Sequence, residues 1–163
     1  MDKEIYERIN EKLVRGYRDI SNIEEKELRK GPFHDLSIKE LHTINAITMY
    51  HHKTSSQVSQ EMRVTPGTLT AAINNLARKG YVQRLREKTD RRVIRLGLTR
   101  KGRSAYRLHD SFHRKMVMSF LDGFNKDEIS LIEHAVDNLI EFLEDKNHAA
   151  KQGPSERDGM QSC

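Results

Sequence analysis

Between Gly80 and Thr99 the apolar spacing changes from one residue in three or four to one in two, and it changes back immediately afterwards. A helix repeats its buried face every 3.6 residues and a strand every second residue. A chain with this pattern must therefore set a β-hairpin into an otherwise helical frame. The predicted strands are Tyr81 to Arg86 and Val93 to Leu98, with Ile94, Leu96 and Leu98 alternating on one face. The polar run Glu87-Lys88-Thr89-Asp90-Arg91-Arg92 lies between them as the turn.

The flanking segments carry helix signals. Ile5, Ile9, Leu13, Tyr17, Ile20 and Ile23 form an amphipathic stripe over 3–29, which Gly31-Pro32 ends. Ser37-x-x-Glu40 opens a second helix through Leu41, Ile44 and Ile47, and Thr54-x-x-Gln57 caps a short third helix. Thr65 caps a fourth with Pro66 at its first position, burying Leu69, Ile73 and Leu76 and stopping at Gly80. Thr99 starts a fifth along Leu108, Phe112, Met116 and Phe120, and Gly123 closes it. Asn125-x-x-Glu128 starts the last, with Ile129, Ile132, Val136, Leu139, Ile140 and Leu143 inside. Residues 148–163 offer nothing to bury and are expected to form a disordered tail.

Charge divides the chain as sharply as periodicity does. Lys53 to Arg103 holds thirteen Lys and Arg against Glu61, Glu87 and Asp90, a net of +10. The remainder holds sixteen basic residues against twenty-one acids, so the overall +5 conceals a basic segment on an acidic body. Such a segment suits a phosphate backbone. Hydrophobic content is 36% and charged content 33%, a balance that favours a helical chain completing its core as a dimer. No apolar run reaches membrane-spanning length and the N-terminus lacks a signal-type apolar stretch, so a cytoplasmic protein without membrane association is expected. Cys163 is the only cysteine, which excludes a disulfide within the chain. There is no phosphate-binding loop and no G-x-S-x-G, and acidic pairs such as Glu24-Glu25 read as solvated helix faces. An enzyme is not expected.

A short helix, a tight turn, a longer helix and a hairpin make a winged helix-turn-helix. A helix entering the major groove needs small or hydroxylated residues at its tip, and Thr65, Gly67, Thr68, Thr70 and Ala71 supply them. Of Asn74 and Asn75, whichever points outward can pair with an adenine edge while the other braces the turn. Arg91 or Arg92 is long enough to enter a narrow minor groove, and Asp90 is expected to orient one of them.

These residues carry a resemblance. GYVQRLREKTDRRVIRLGLTRKGR (80–103) is similar to the wing of MarR-family transcription regulators, where a strand, an Asp-Arg-Arg tip, a return strand and a Leu-Thr-x-x-Gly helix start occur together. Element order agrees over 3–146. The resemblance implies a mostly α fold with a small β-hairpin wing, one domain over 1–147 and an intertwined homodimer. In that arrangement 3–29 and 103–147 form the dimerisation region and 36–102 the winged helix-turn-helix. It implies DNA contacts from Ser55, Ser56, Thr65, Thr68, Thr70, Asn74, Arg91 and Arg92, on an inverted-repeat site. LSIKELHTI (36–44), SSQVSQEMRVTPGTLTAAINNLARKGYV (55–82) and RLHDSFHRKMV (107–117) further resemble the family's repressors of fatty-acid synthesis genes. That likeness implies a long-chain acyl group on acyl carrier protein as corepressor, and no other cofactor.

An acyl effector needs a mostly apolar tunnel, worth about 0.8 kcal/mol per buried methylene. Leu13, Tyr17, Ile20, Leu41, Ile44, His109, Phe112, His113 and Met116 are the expected lining. Arg103, Arg107, Arg114 and Lys115 are candidate contacts for the acidic carrier protein. His109 and His113 stand four apart and His42 can approach them, but no cysteine or evident acidic partner completes a metal site, so none is expected. Alternatives are a regulator of the same type answering to a different small molecule or to a metal, and an architectural protein using the winged segment for protein contacts.

Overall fold

The computed structural model describes residues 2–86 and 93–151, without the side chains of 148–151. The elements run α1 (Lys3–Lys30), α2 (Ile38–Ile47), α3 (Ser55–Glu61), α4 (Pro66–Arg78), β1 (Val82–Arg86), β2 (Ile94–Leu98), α5 (Arg100–Phe120) and α6 (Lys126–Lys151). The chain divides into two compact units, 1–114 and 115–163.

In the first unit each helix starts where a side chain can satisfy otherwise orphaned amides. Asp2 accepts from the Glu4 amide at 3.0 Å. Ser37 and Glu40 form a reciprocal capping box on α2, and Thr54 and Gln57 form another on α3. Thr65 accepts from the Thr68 amide at 3.2 Å, with Pro66 at the first position of α4. The turn after α4 depends on Gly80, whose φ of 80° lies in the left-handed region. The strands pair antiparallel, from Val82 opposite Leu98 to Arg86 opposite Ile94. The Leu96 amide also donates to the Lys53 carbonyl at 2.8 Å, joining the segment before α3 to the hairpin.

The core of this unit is formed by Leu41, Ile44, Ile47, Val58, Leu69, Ile73, Leu76, Tyr81 and Leu96, all buried. Burying one such aliphatic side chain fully contributes about 1.5–3 kcal/mol. Two positions break the alternation: Ile94 is exposed, while Gly97, out of phase with the apolar residues, is buried. A Cβ on Gly97 would meet Leu85 Cδ1 at 2.8 Å, so close packing rather than apolarity buries that position.

In the second unit, Gly123 turns the chain at φ 84°, and Asn125 accepts from the Asp127 and Glu128 amides at 3.0 and 3.1 Å. The helix α6 continues to Lys151, four residues past the expected end of order at 147. Ala149 and Ala150 are strong helix formers, which explains the extension. The rest of the expected tail, 152–163, lies outside the described residues.

Candidate nucleic-acid interface

Helices α3 and α4 are joined by a turn in which Arg63 takes a φ of 54° and the Val64 amide donates to the Ser59 carbonyl at 3.1 Å. Beyond this turn the tip of α4 is open to solvent. Thr65, Gly67, Thr68, Thr70, Ala71 and Asn74 are all exposed, and Ser55 and Ser56 are exposed at the start of α3. The Thr65 and Thr68 hydroxyls lie 2.8 Å apart and Thr70 donates to the Pro66 carbonyl at 2.8 Å, so each retains capacity for a phosphate or base edge.

The two asparagines divide as their helical phases require. Asn74 is exposed and accepts from Arg84 on β1 at 2.6 Å. Asn75 turns inward, donating to Glu40 and accepting from Arg78. Arg84 was absent from the expected contacts; it is exposed on the hairpin and its bond to Asn74 sets it beside the exposed face of α4. On the return strand Arg95 donates to the His52 carbonyl at 3.0 Å. Asp90, Arg91 and Arg92, the expected wing tip, lie outside the described residues.

A polar brace beneath α4 fixes its direction. Lys79 Nζ donates to both Glu40 oxygens at 2.9 Å and also reaches the Asp35 carbonyl. The buried Tyr81 donates to Asp35 Oδ1 at 2.5 Å, and Lys101 reaches Asp35 Oδ2 at 3.2 Å. Burial alone would raise the Glu40 carboxyl, but the bonds from Lys79 and Ser37 together hold it below its ordinary value. Asp35 is likewise lowered by Tyr81 and Lys101 against a desolvation that opposes them, while burial and Asp35 raise the Tyr81 phenol. The capping role of Glu40 was readable from Ser37-x-x-Glu40, but its partnership with Lys79, thirty-nine residues on, left no sequence signal.

The expected effector residues differ in burial. Leu41 and Ile44 belong to the core, Ile44 with no exposed surface. Leu13 and Tyr17 are exposed, Tyr17 at 79%, and Ile20 and Phe112 are half-buried. Met116 falls in the second unit. His109 and His113 are instead engaged by Glu24: Oε1 lies 3.2 Å from His109 Nε2 and 2.8 Å from His113 Nε2. Glu24 is buried, which corrects its reading as part of a solvated face. It lies one turn before the core residue Leu28, so the helix directs both inward. Burial, and then the neighbouring His113, hold the His109 imidazole below its ordinary value.

The family described as transcriptional regulator SarA/Rot matches residues 29–107. Streptococcus pneumoniae FabT, solved in complex with DNA, is 48% identical, with a TM-score of 0.76 over 86% of this chain and 98% of that chain. A MarR family transcriptional regulator from Listeria monocytogenes, complexed with 26mer DNA, shares the fold at a TM-score of 0.65 and 23% identity, over 93% of this chain and 97% of its own. SarZ of Staphylococcus haemolyticus is 36% identical over 69 residues, 42% of this chain and 47% of its own length. PchR of Bacillus subtilis is 22% identical over 111 residues, 66% of both chains. The chain thus spans about half to two thirds of these curated relatives, but nearly the whole of the pneumococcal one. Identity of that extent, on a shared winged-helix architecture, places the protein in the MarR family of transcription regulators.

Proposed function

We propose that the protein is a dimeric, sequence-specific DNA-binding repressor of fatty-acid synthesis genes, with long-chain acyl-acyl carrier protein as corepressor. The observation that carries the DNA-binding part is the 48% identity to a FabT solved in complex with DNA, across 98% of that chain. The exposed small-residue tip of α4, set in a segment of net charge +10, supports the same reading. The matched relatives are transcription regulators rather than enzymes. Among the described residues no helix is long and apolar enough to cross a membrane.

Dimerisation is typical of the family, and unpartnered apolar surface supports it here. Helix α1 exposes Ile5, Ile9, Leu13 and Val14, and α6 exposes Leu131, Leu139, Ile140, Phe142 and Leu143. Apolar surface of this extent costs solubility unless a second copy covers it. The fatty-acid and acyl parts rest on the likeness of 36–44, 55–82 and 107–117 to repressors of those genes. A bound acyl group that fixes the spacing of two recognition helices would shift the dimer toward its DNA-fitting form.

The test is a titration of an inverted-repeat duplex, with half-sites about 10 base pairs apart. Affinity should fall about a thousandfold or more between 50 and 200 mM salt, and acyl-loaded carrier protein should tighten binding where the unloaded carrier does not. Equal affinity for scrambled duplex defeats the repressor reading. Equal effects of the loaded and unloaded carriers defeat the corepressor.

A further inference from the structure

Glu24 of α1 and His109 and His113 of α5 bring one carboxylate oxygen and two imidazole nitrogens together. Glu24 Oε1 is 3.2 Å from His109 Nε2 and 2.8 Å from His113 Nε2, and the two nitrogens are 3.1 Å apart. No arrangement of two-centre hydrogen bonds satisfies all three edges of this triangle. If both rings donate to the carboxylate, their N–H groups face each other across the third edge. If one ring donates to the other, the recipient's lone pair faces the carboxylate oxygen. One short contact is always left without a proton to bridge it.

A cation at the centre removes the conflict, because all three lone pairs then point at it. The spacing already suits one: ligand distances of about 2.0–2.1 Å in a tetrahedron put neighbouring ligand atoms about 3.3 Å apart. Glu24 and His109 are only 8% and 6% exposed, so the charge of the carboxylate is poorly hydrated and a counter-ion is favoured. His109 Nδ1 is buried with no hydrogen-bond partner among the described residues, so that ring is engaged through Nε2. Outside this group of three, His42 on α2 stands close by: its Nε2 is 3.8 Å from Glu24 Oε2, and its ring lies edge-on to His109.

We infer that Glu24, His42, His109 and His113 form a site for a zinc-class divalent transition ion, and that the ion is a second effector input. Three imidazoles and one carboxylate, without a thiolate, suit zinc better than calcium or magnesium, which take oxygen ligands. Such an ion would staple α1 and α5 to α2, a helix that the Glu40–Asn75 and Glu40–Lys79 bonds connect to α4. Site occupancy would thereby stiffen the support of the exposed helix tip. The effector role, unlike the site itself, rests on the DNA-binding reading above.

The site is tested on the full-length protein alone, stripped with a chelator and titrated with Zn2+ against a chromophoric competitor. One tightly held ion per chain is expected, with Glu24→Gln and His113→Gln weakening it about a hundredfold or more. Circular dichroism of both variants checks that they fold. Co2+ in place of Zn2+ should give the visible bands of a tetrahedral ion without thiolate charge transfer. Absent binding, binding indifferent to both substitutions, or a thiolate signature implicating Cys163 would each overturn the site. Operator affinity with Zn2+ and with chelator should differ about tenfold or more in the unsubstituted protein and not in Glu24→Gln. A bound ion that leaves operator affinity unchanged overturns the effector role. Failure to bind any operator while Zn2+ still binds overturns the repressor reading and not the site.

Discussion

At the third position of α2 the Glu40 carboxylate accepts from the Ser37 amide at 2.8 Å while both of its oxygens take Lys79 Nζ at 2.9 Å. One side chain thus starts a helix and anchors the end of another. Glu40→Gln keeps the shape and removes the charge, and should cost about 1–3 kcal/mol in chemical denaturation. The pH dependence follows from the lowered carboxyl value. A depressed folded-state value stabilises fully above the unfolded value and loses that contribution as pH falls through the folded one. The difference between the native protein and Glu40→Gln should therefore be full near neutrality and shrink below the ordinary carboxylate range; a constant gap across the acid series contradicts the assignment. Gly102 is constrained by contact: a Cβ there would stand 2.1 Å from the Tyr81 carbonyl oxygen. Gly102→Ala should destabilise by about 1–3 kcal/mol, and an unchanged denaturation midpoint would show that the start of α5 can shift freely.

Among the elements, α4 separates a buried face from an exposed one by phase. Leu69, Ile73 and Leu76 are buried, while Thr68, Thr70 and Asn74 face solvent. Asn74→Ala should leave thermal stability nearly unchanged and relax preference at one operator base pair, at about 1–3 kcal/mol. A uniform loss across all sequences would assign Asn74 to the backbone instead. Thr65→Ala should act on both counts, losing a helix cap worth about 1 kcal/mol and weakening DNA binding. The division between the two asparagines could not be settled from their adjacency alone. Which one turned inward depended on where Glu40 and Arg84 lay, thirty-four residues before and ten after the pair's first member.

For the whole molecule, the exposed apolar residues of α1 and α6 are the main departure from a self-sufficient chain. Leu139→Glu with Leu143→Glu places charge on a face that is already exposed in the single chain, so the first unit should keep its fold. Sedimentation should show the dimer replaced by a monomer, with affinity for the inverted repeat lost together with it. A double variant that stays dimeric would remove α6 from the interface.

Local chemistry in the sequence determined where the elements begin and end. Caps at Ser37, Thr54, Thr65 and Asn125, the stop at Gly80 and the alternation of Leu96 and Leu98 each act within a few residues, and each element they mark is present. The basic segment, too, was legible, because net charge is a sum that does not depend on packing. Tertiary structure alone decided which polar groups meet. Glu24 lies eighty-five residues from His109, and Glu40 thirty-nine from Lys79. Helical periodicity reports that a face is turned inward but not what stands opposite it, so a glutamate followed by Glu25 and Lys26 looked solvated until α5 was packed against it.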